Sequence, residues 1–248
     1  MIRTIFAVIF VVLFLILTIP VLFVEWIISK FNRRASDISS LRIVQWAFKV
    51  VLFICGTKVT VIGEENVPKD TPVLYIGNHR SYFDIVITYA RCPGLTGYIA
   101  KDNIAKVPLL SHWMRRLYCL FLNRTDIKQG LKTILTGIDQ VKNGISMCIF
   151  PEGTRSRGAS ELDMLPFKAG SFKIAEKSGC PIVPMAITGS SEILEDHFPS
   201  VHKTHVILQY GKPILLDELS KEERKQLSSL AHERVHEMLV DNQKYSKH

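Results

Sequence analysis

Hydrophobic and polar positions divide the chain into two regimes. From Ile5 to Val24 twenty residues pass without a charge. A helix of that length, rising about 1.5 Å per residue, spans the ~30 Å hydrocarbon core of a bilayer. Phe23, Val24, Glu25 and Trp26 close the segment where a cleaved signal peptide would need a small-x-small site, so the segment reads as a retained membrane anchor. Pro20 predicts a kink, and with it a re-entrant hairpin as the alternative to a crossing. A second apolar stretch, Ile43 to Cys55, carries Gln45 and Lys49, which with Arg42 just before it fall at helical spacing and make one narrow polar stripe. That pattern suits a helix lying in the membrane interface or a core helix of the following domain.

Beyond position 56 the period changes. "TKVTVIG" alternates from Thr57 to Gly63 and predicts a strand. The run Val73 to Ile76 predicts a buried strand that delivers Asn78 and His79 at its end, with a helix beginning near Ser81 or Tyr82. "LYCLFLNR", "SMCIFPEG", "PIVPMAI" and "THVILQYG" predict further strands. Asp126 with Gln129 three residues on predicts a capped helix running to about Lys142, and Gly144 stops it. "FKAGSFKIAEKSG" reads as helical, and Ser220 with Glu223 opens a last helix reaching about Val240. Strands alternating with helices predict an α/β fold: a mixed, largely parallel sheet covered by helices, behind an N-terminal membrane-anchoring helical segment. The expected division is 1–56 for the anchor and 57–248 for the domain. Ligands gather outside strand C-termini in such sheets, and the loops at His79, Arg124 and Glu152 all follow strands.

Charge narrows the partners. Net charge is +8, with a pI of about 9.3. Basic residues are not interleaved with aromatics, and zinc-finger spacing is absent, so nucleic acid is not an expected partner. With an anchor present, anionic headgroups or a phosphorylated substrate fit the charge better. Lys30, Arg33, Arg34 and Arg42 follow the first apolar segment, and only Arg3 and the α-amine precede it. The positive-inside rule then puts the domain on the cytoplasmic side of an inner or plasma membrane. Five scattered cysteines without a C-x-x-C predict buried, reduced thiols.

Three stretches carry candidate chemistry. In "GNHRSYFD" His79 and Asp84 stand five residues apart. On one helix they would diverge by about 140°. With His79 in a loop and Asp84 in the first helical turn, they can meet. The carboxylate then fixes the imidazole tautomer and leaves the other nitrogen to take a proton. "FPEGTRSRG" places two arginines and two hydroxyls after a Pro–Gly turn, a set suited to phosphate. "NRTD" puts Arg124 at the entry to a helix, able to point to the same pocket.

Together these stretches resemble the glycerolipid acyltransferase family, in particular its 1-acylglycerol-3-phosphate acyltransferases. The resemblance runs from about Val59 to Gln209 through "NHRSYFD", "AKDNIAKVPLL" with "LFLNR", "FPEGTRSR" and "CPIVPMAI" in family order. It implies that His79 is the general base and Asp84 its orienter. The sn-2 hydroxyl of a lysophospholipid would attack the thioester of acyl-CoA or acyl-carrier protein directly, giving phosphatidic acid without an acyl-enzyme. Asn78, Glu152, Gly153, Thr154 and Arg155, with Lys101 and Arg124 nearby, would bind the acceptor, and Pro184 would shape the pocket. Neither a metal nor a cofactor is implied; the partners are the acyl donor, lysophosphatidic acid and membrane lipids. Other lysophospholipids and glycerol 3-phosphate are alternative acceptors within the family. Ser111 and His112 depart from the family pattern, in which a glycine is common after "VPLL".

Two rival functions compete. "HERVH" places His232 and His236 four apart on a helix with Glu233 between, as in a zinc peptidase. A catalytic zinc needs a third protein ligand, and only Glu237 and Asp241 follow as acids. The apolar positions Leu227, Leu230, Ala231, Val235, Met238 and Leu239 explain the helix as a surface helix of the domain. A membrane-anchored lipid-phosphate binding module would use the same arginines but has no need of a His–Asp pair. No G-x-S-x-G elbow supports a nucleophilic hydrolase.

Overall fold

The computed structural model describes residues 1–245; the last three positions of the expected domain lie outside them. Its N-terminal helices are α1 (Ile2–Leu17), α2 (Ile19–Phe31) and α3 (Arg33–Cys55). The uncharged segment is therefore not one straight helix: α1 and α2 are bent by 45° at Thr18. Pro20 is the physical cause. It has no N–H to offer the preceding turn, and its ring crowds the carbonyl four residues back, whereas it is tolerated in the first turn of α2. Asn32 caps α3 by accepting from the Ala35 N–H at 3.0 Å, and Gly56, in the left-handed region at φ 73°, ends it.

Helix α3 runs back along α2 and α1, so the three helices make a hairpin. Arg3 Nη1 donates to the Ile54 carbonyl at 2.9 Å, and the Val201 N–H donates to Thr4 Oγ1 at 2.8 Å. Both ends of the hairpin thus lie at the domain. Among the described residues α3 is the one helix long and apolar enough to cross a membrane, and α1 with α2 qualify only as a bent pair. Of the two readings of Ile43 to Cys55, the core contact holds on one side: Leu41, Val44, Ala47, Val51 and Cys55 are buried. Trp46 and Phe53 stay exposed on the other side. The polar stripe is not one solvated face either. Gln45 is buried and donates to the carbonyls of Tyr89 and Cys92, at 3.3 and 2.7 Å.

The rest of the chain alternates in the expected way. Its elements are β1 (Lys58–Ile62), β2 (Leu74–Gly77), α4 (Phe83–Tyr89), β3 (Thr96–Lys101), α5 (Pro108–Arg116), β4 (Leu120–Leu122) and α6 (Ile127–Lys142). There follow β5 (Ser146–Ile149), α7 (Lys173–Ser178), β6 (Ile182–Thr188), β7 (His205–Tyr210), α8 (Lys221–Lys225) and α9 (Leu227–Asn242). The strands form a seven-stranded sheet in the order β1-β7-β6-β2-β5-β3-β4, parallel except at the β6–β7 pair. Period-2 alternation feeds two cores. Tyr75, Val183 and Ile187 face Leu41 and Ile87 of α3 and α4. Leu74, Ile76 and Ile182 face Ile138, Ile174 and Val235 of α6, α7 and α9. Helix α3 therefore shares a core with the sheet across the expected boundary at 56.

Three elements differ from expectation: β3 and α5, which the sequence pattern did not mark, and the last helix. β3 and α5 carry no strong periodic signal, because "TGYIAK" mixes both polarities and α5 starts at a proline without a side-chain cap. Ser111 and His112, the departures from the family pattern, sit inside α5 and bond back to the Pro108 carbonyl at 3.0 and 2.7 Å. The last helix is interrupted at Gln226 although its capping box forms as expected. All five cysteines are free and buried. Burial pushes the Cys92 thiol up to about 11 and Cys119 to about 12, which leaves both thiols inert near neutrality.

A buried ion pair locks the hairpin to the sheet domain. Glu25 accepts from Ser36 Oγ at 2.7 Å and Ser39 Oγ at 2.6 Å, and lies 3.5 Å from Arg116 Nη2 at the end of α5. Arg116 Nε also donates to Ser40 Oγ at 2.6 Å. Removing one partner strands a charge in an apolar setting and costs about 3–5 kcal/mol. Arg116→Ala should therefore lower Tm by roughly 10 °C in detergent. Thermal unfolding followed by circular dichroism checks this; a change within a degree or two would show that the pair carries no stability.

Candidate active site

The site is assembled at the C-terminal ends of β2 and β5. β2 ends at Gly77, where a Cβ would come within 2.8 Å of the Met185 carbonyl on β6, so only glycine lets the strands close at this point. Asn78 follows and turns inward. Its amide donates to the Ile187 carbonyl and accepts from the Ile187 N–H, both at 2.9 Å. Expected beside the substrate, Asn78 is occupied in clamping the loop to β6.

His79 stands next, its side chain 16% exposed. Its Nδ1 lies 2.8 Å from Asp84 Oδ2, and the same oxygen accepts from the N–H groups of Arg80 and Ser81 at 2.8 Å each. Asp84 lies in the first turn of α4 and is fully buried. A carboxylate in that setting accepts the Nδ1 proton and leaves Nε2 as the basic nitrogen. The Phe150 ring stacks on the imidazole, with centroids 4.3 Å apart. The loop-to-first-turn geometry expected from the spacing is the one observed.

The β5 loop braces this arrangement. Glu152 is buried, and its two oxygens accept from the His79 N–H at 2.7 Å and the Leu165 N–H at 2.9 Å. Burial raises its pKa above the usual carboxylate range, and the two N–H donors and His79 offset part of that. Ser156 N–H donates to the His79 carbonyl at 2.7 Å. Arg80 reaches over to the carbonyls of Ser160 and Gly158, at 2.6 and 2.9 Å. Gly153 takes φ 76°, and Lys168 Nζ lies against it where a Cβ would stand.

The remaining expected residues spread to either side. Arg124 and Gly153 line one cleft of about 280 Å³, together with Leu122, Leu131, Phe150 and Lys168. Lys101 is exposed at the end of the neighbouring β3, and Thr154 is exposed on the turn. Arg155 leans the other way. Its Nη1 donates to Glu195 Oε1 at 2.9 Å, and its guanidinium lies 3.7 Å over the Tyr82 ring. Pro184 is buried inside β6, pairs with Ile76, and accepts from the Gly211 N–H at 2.8 Å. Sequence reasoning missed Glu195, Tyr82 and Lys168. Glu195 lies 114 positions from Ser81, in a short turn without a motif, so no local signal marks it. The "HERVH" histidines lie elsewhere, on α9. His232 packs edge-on against Phe167 with centroids 5.0 Å apart, and among the described residues no third His, Cys, Asp or Glu completes a metal-binding group.

A histidine with a buried carboxylate bonded to one ring nitrogen, with guanidinium groups nearby, is an arrangement suited to activating a hydroxyl or water. Residues 58–188 match the family model described as Acyltransferase. The chain is 32% identical over 213 residues to a 1-acyl-sn-glycerol-3-phosphate acyltransferase of Saccharomyces cerevisiae, covering 84% of this chain and 68% of that one. It is 30% identical over 190 residues to the protein of the same name from Borreliella burgdorferi, covering 75% and 74%. The crystal structure of the 1-acyl-sn-glycerophosphate (LPA) acyltransferase PlsC from Thermotoga maritima superposes with a TM-score of 0.78 at 24% identity. It covers 97% of this chain and 95% of that one, and establishes the shared fold. The chain belongs to the acyltransferase family.

Glu152 tests how the site is braced. Glutamine has one acceptor oxygen in place of two, so either the His79 or the Leu165 N–H must face an NH2 group. Glu152→Gln should cost about 1–3 kcal/mol of stability and depress turnover by loosening His79. Unfolding and rate measurements on one preparation check both effects; unchanged values of both would show that the brace is dispensable.

Proposed function

We propose that the protein transfers an acyl chain from acyl-CoA or acyl-carrier protein to the sn-2 hydroxyl of 1-acylglycerol 3-phosphate, giving phosphatidic acid. The observation that carries this reading is the 2.8 Å bond from His79 Nδ1 to Asp84 Oδ2, which turns Nε2 into the proton acceptor. The names of the yeast and Borreliella relatives favour lysophosphatidic acid over the other acceptors of the family.

Nε2 of His79 takes the proton from the acceptor hydroxyl as its oxygen attacks the thioester carbonyl carbon. Asp84 stabilises the resulting imidazolium. When the tetrahedral species collapses, the C–S bond breaks and the imidazolium returns the proton to the leaving sulfur. An acyl-enzyme is not needed, because the thioester is already activated. A positioned base contributes about 10²–10⁴-fold, and holding both substrates in line supplies the rest. Arg155 serves the acceptor phosphate, and Arg124 and Lys101, on the other side of the β5 loop, add positive charge around the acceptor. Asn78, Glu152, Gly153 and Pro184 shape the loops that carry these groups, and Thr154 borders the phosphate. Residues 57–248 form the catalytic unit, and residues 1–56 hold it to the cytoplasmic face of the membrane, where lysolipid and product reside.

His79→Ala should abolish phosphatidic acid formation while the protein remains folded and in the membrane fraction, as mass spectrometry of lipid products and circular dichroism report. Arg155→Ala should raise KM for lysophosphatidic acid about ten- to a hundredfold, the loss of a charge-assisted hydrogen bond. KM for acyl-CoA should hold. Near-normal turnover without His79 would end the mechanism. The hairpin predicts that tags at Met1 and at position 245 meet protease on the same face of sealed vesicles. Protection of one and cleavage of the other would refute the hairpin topology.

A further inference from the structure

Glu195 lies outside the matched motifs, in the short turn Glu195–His197 that follows β6. Because β6 neighbours β2 in the sheet, that turn meets the start of α4. Glu195 Oε1 accepts from the Tyr82 N–H at 2.8 Å and from Arg155 Nη1 at 2.9 Å. Its Oε2 accepts from Ser81 Oγ at 2.6 Å, and Ser81 Oγ in turn accepts from the Phe83 N–H at 2.9 Å. One carboxylate therefore ties together the first turn of α4, which holds Asp84, and the arginine assigned to the phosphate.

The consequence for Arg155 is geometric. A guanidinium presents five N–H donors in a planar fork. Glu195 holds Nη1, and the Tyr82 ring covers one face at 3.7 Å. Nε and Nη2 have no hydrogen-bond partner among the described residues. A long side chain ordinarily loses rotamer freedom when it grips a ligand. Here that freedom is already gone before the ligand arrives, and the unused edge is free for two parallel bonds to a phosphate. The carboxylate weakens the net positive charge but supplies direction, so what it contributes is selectivity for an anion of matching shape.

We propose that Glu195 is a positioning residue, which, with Tyr82, orients Arg155 so that its Nε/Nη2 edge receives the acceptor's phosphate. This rests on the assignment of Arg155 to the phosphate made above. Neither Glu195 nor Tyr82 makes a hydrogen bond to the side chain of His79 or Asp84 among the described residues. The opposite role is also testable: a carboxylate that competes with the phosphate would make its removal tighten acceptor binding.

The experiment is steady-state kinetics on the full chain in mixed micelles, with lysophosphatidic acid and acyl-CoA varied separately. The variants are Glu195→Gln, Tyr82→Leu, Arg155→Ala and the Glu195→Gln/Arg155→Ala pair. Glu195→Gln should raise KM for lysophosphatidic acid about fivefold, within the usual coupling of contacting residues. KM for acyl-CoA and kcat should stay within about twofold. Tyr82→Leu replaces an exposed ring, so it leaves the core intact and should give the same selective rise. On the Arg155→Ala background, Glu195→Gln should add nothing further. A merely structural glutamate would lower kcat and Tm and multiply with Arg155→Ala. If Arg155→Ala leaves the lysophosphatidic acid KM unchanged, the phosphate assignment falls and this inference with it. If Arg155→Ala raises that KM while Glu195→Gln and Tyr82→Leu leave it unchanged or lower it, or if the effects multiply, the inference alone is overturned.

Discussion

Three hydrogen bonds converge on one oxygen of Asp84, from the His79 ring and from the N–H groups of Arg80 and Ser81. The architecture around the site follows from that convergence. A fully buried carboxylate is costly unless donors offset it; here all of them fall on Oδ2, each worth about 1.5–3 kcal/mol, while Oδ1 has no partner among the described residues. Two of the donors are backbone groups in a turn just before α4, so the helix can begin only where the loop has already closed around the carboxylate. The imidazole is the third donor. Its orientation is thus an outcome of helix capping as much as of any contact made for catalysis.

That closure needs outside support, because a loop carrying a buried polar knot has little apolar surface of its own. The support comes from the β5 loop. Glu152 receives the His79 and Leu165 amides, Ser156 returns a bond to the His79 carbonyl, and Arg80 grips the carbonyls of Gly158 and Ser160. The two motifs that sequence comparison treats as separate blocks are therefore one cross-linked unit. Several residues assigned to ligand binding from the motifs, Asn78 and Glu152 among them, spend their polar atoms inside this unit.

Much of this was legible in advance. Alternation marked β1, apolar runs ending in polar residues marked β2 and β5, "PIVPMAI" and "THVILQYG" marked β6 and β7, and a five-residue spacing suggested how His79 and Asp84 would meet. Asp126 caps α6 as read, at 3.0 Å to the Gln129 N–H, although the Gln129 side chain bonds Asn123 instead of closing a box. The misses have physical causes. β3 lacks a clean period because "TGYIAK" mixes small, apolar and polar residues and ends in the polar loop. The inward turn of Gln45 depends on carbonyls at the end of α4, more than forty positions away. The Glu195 bridge likewise exists only once β6 and β2 lie side by side. Local pattern reports elements; it is silent on polar partners chosen by sheet order.

The hairpin returns to its starting point, with Thr4 bonded at Val201 and α3 leading straight into β1. A domain on a single tether swivels and samples a range of heights above whatever surface holds it. Two attachments, stiffened by the Glu25–Arg116 pair, remove that swing. His79 is then held at one depth and one tilt relative to the hairpin. On the proposed reading, with His79 as the base and a lysolipid as the acceptor, fixed depth works as a ruler does: the hydroxyl that reacts would be the one that floats at the height of the imidazole.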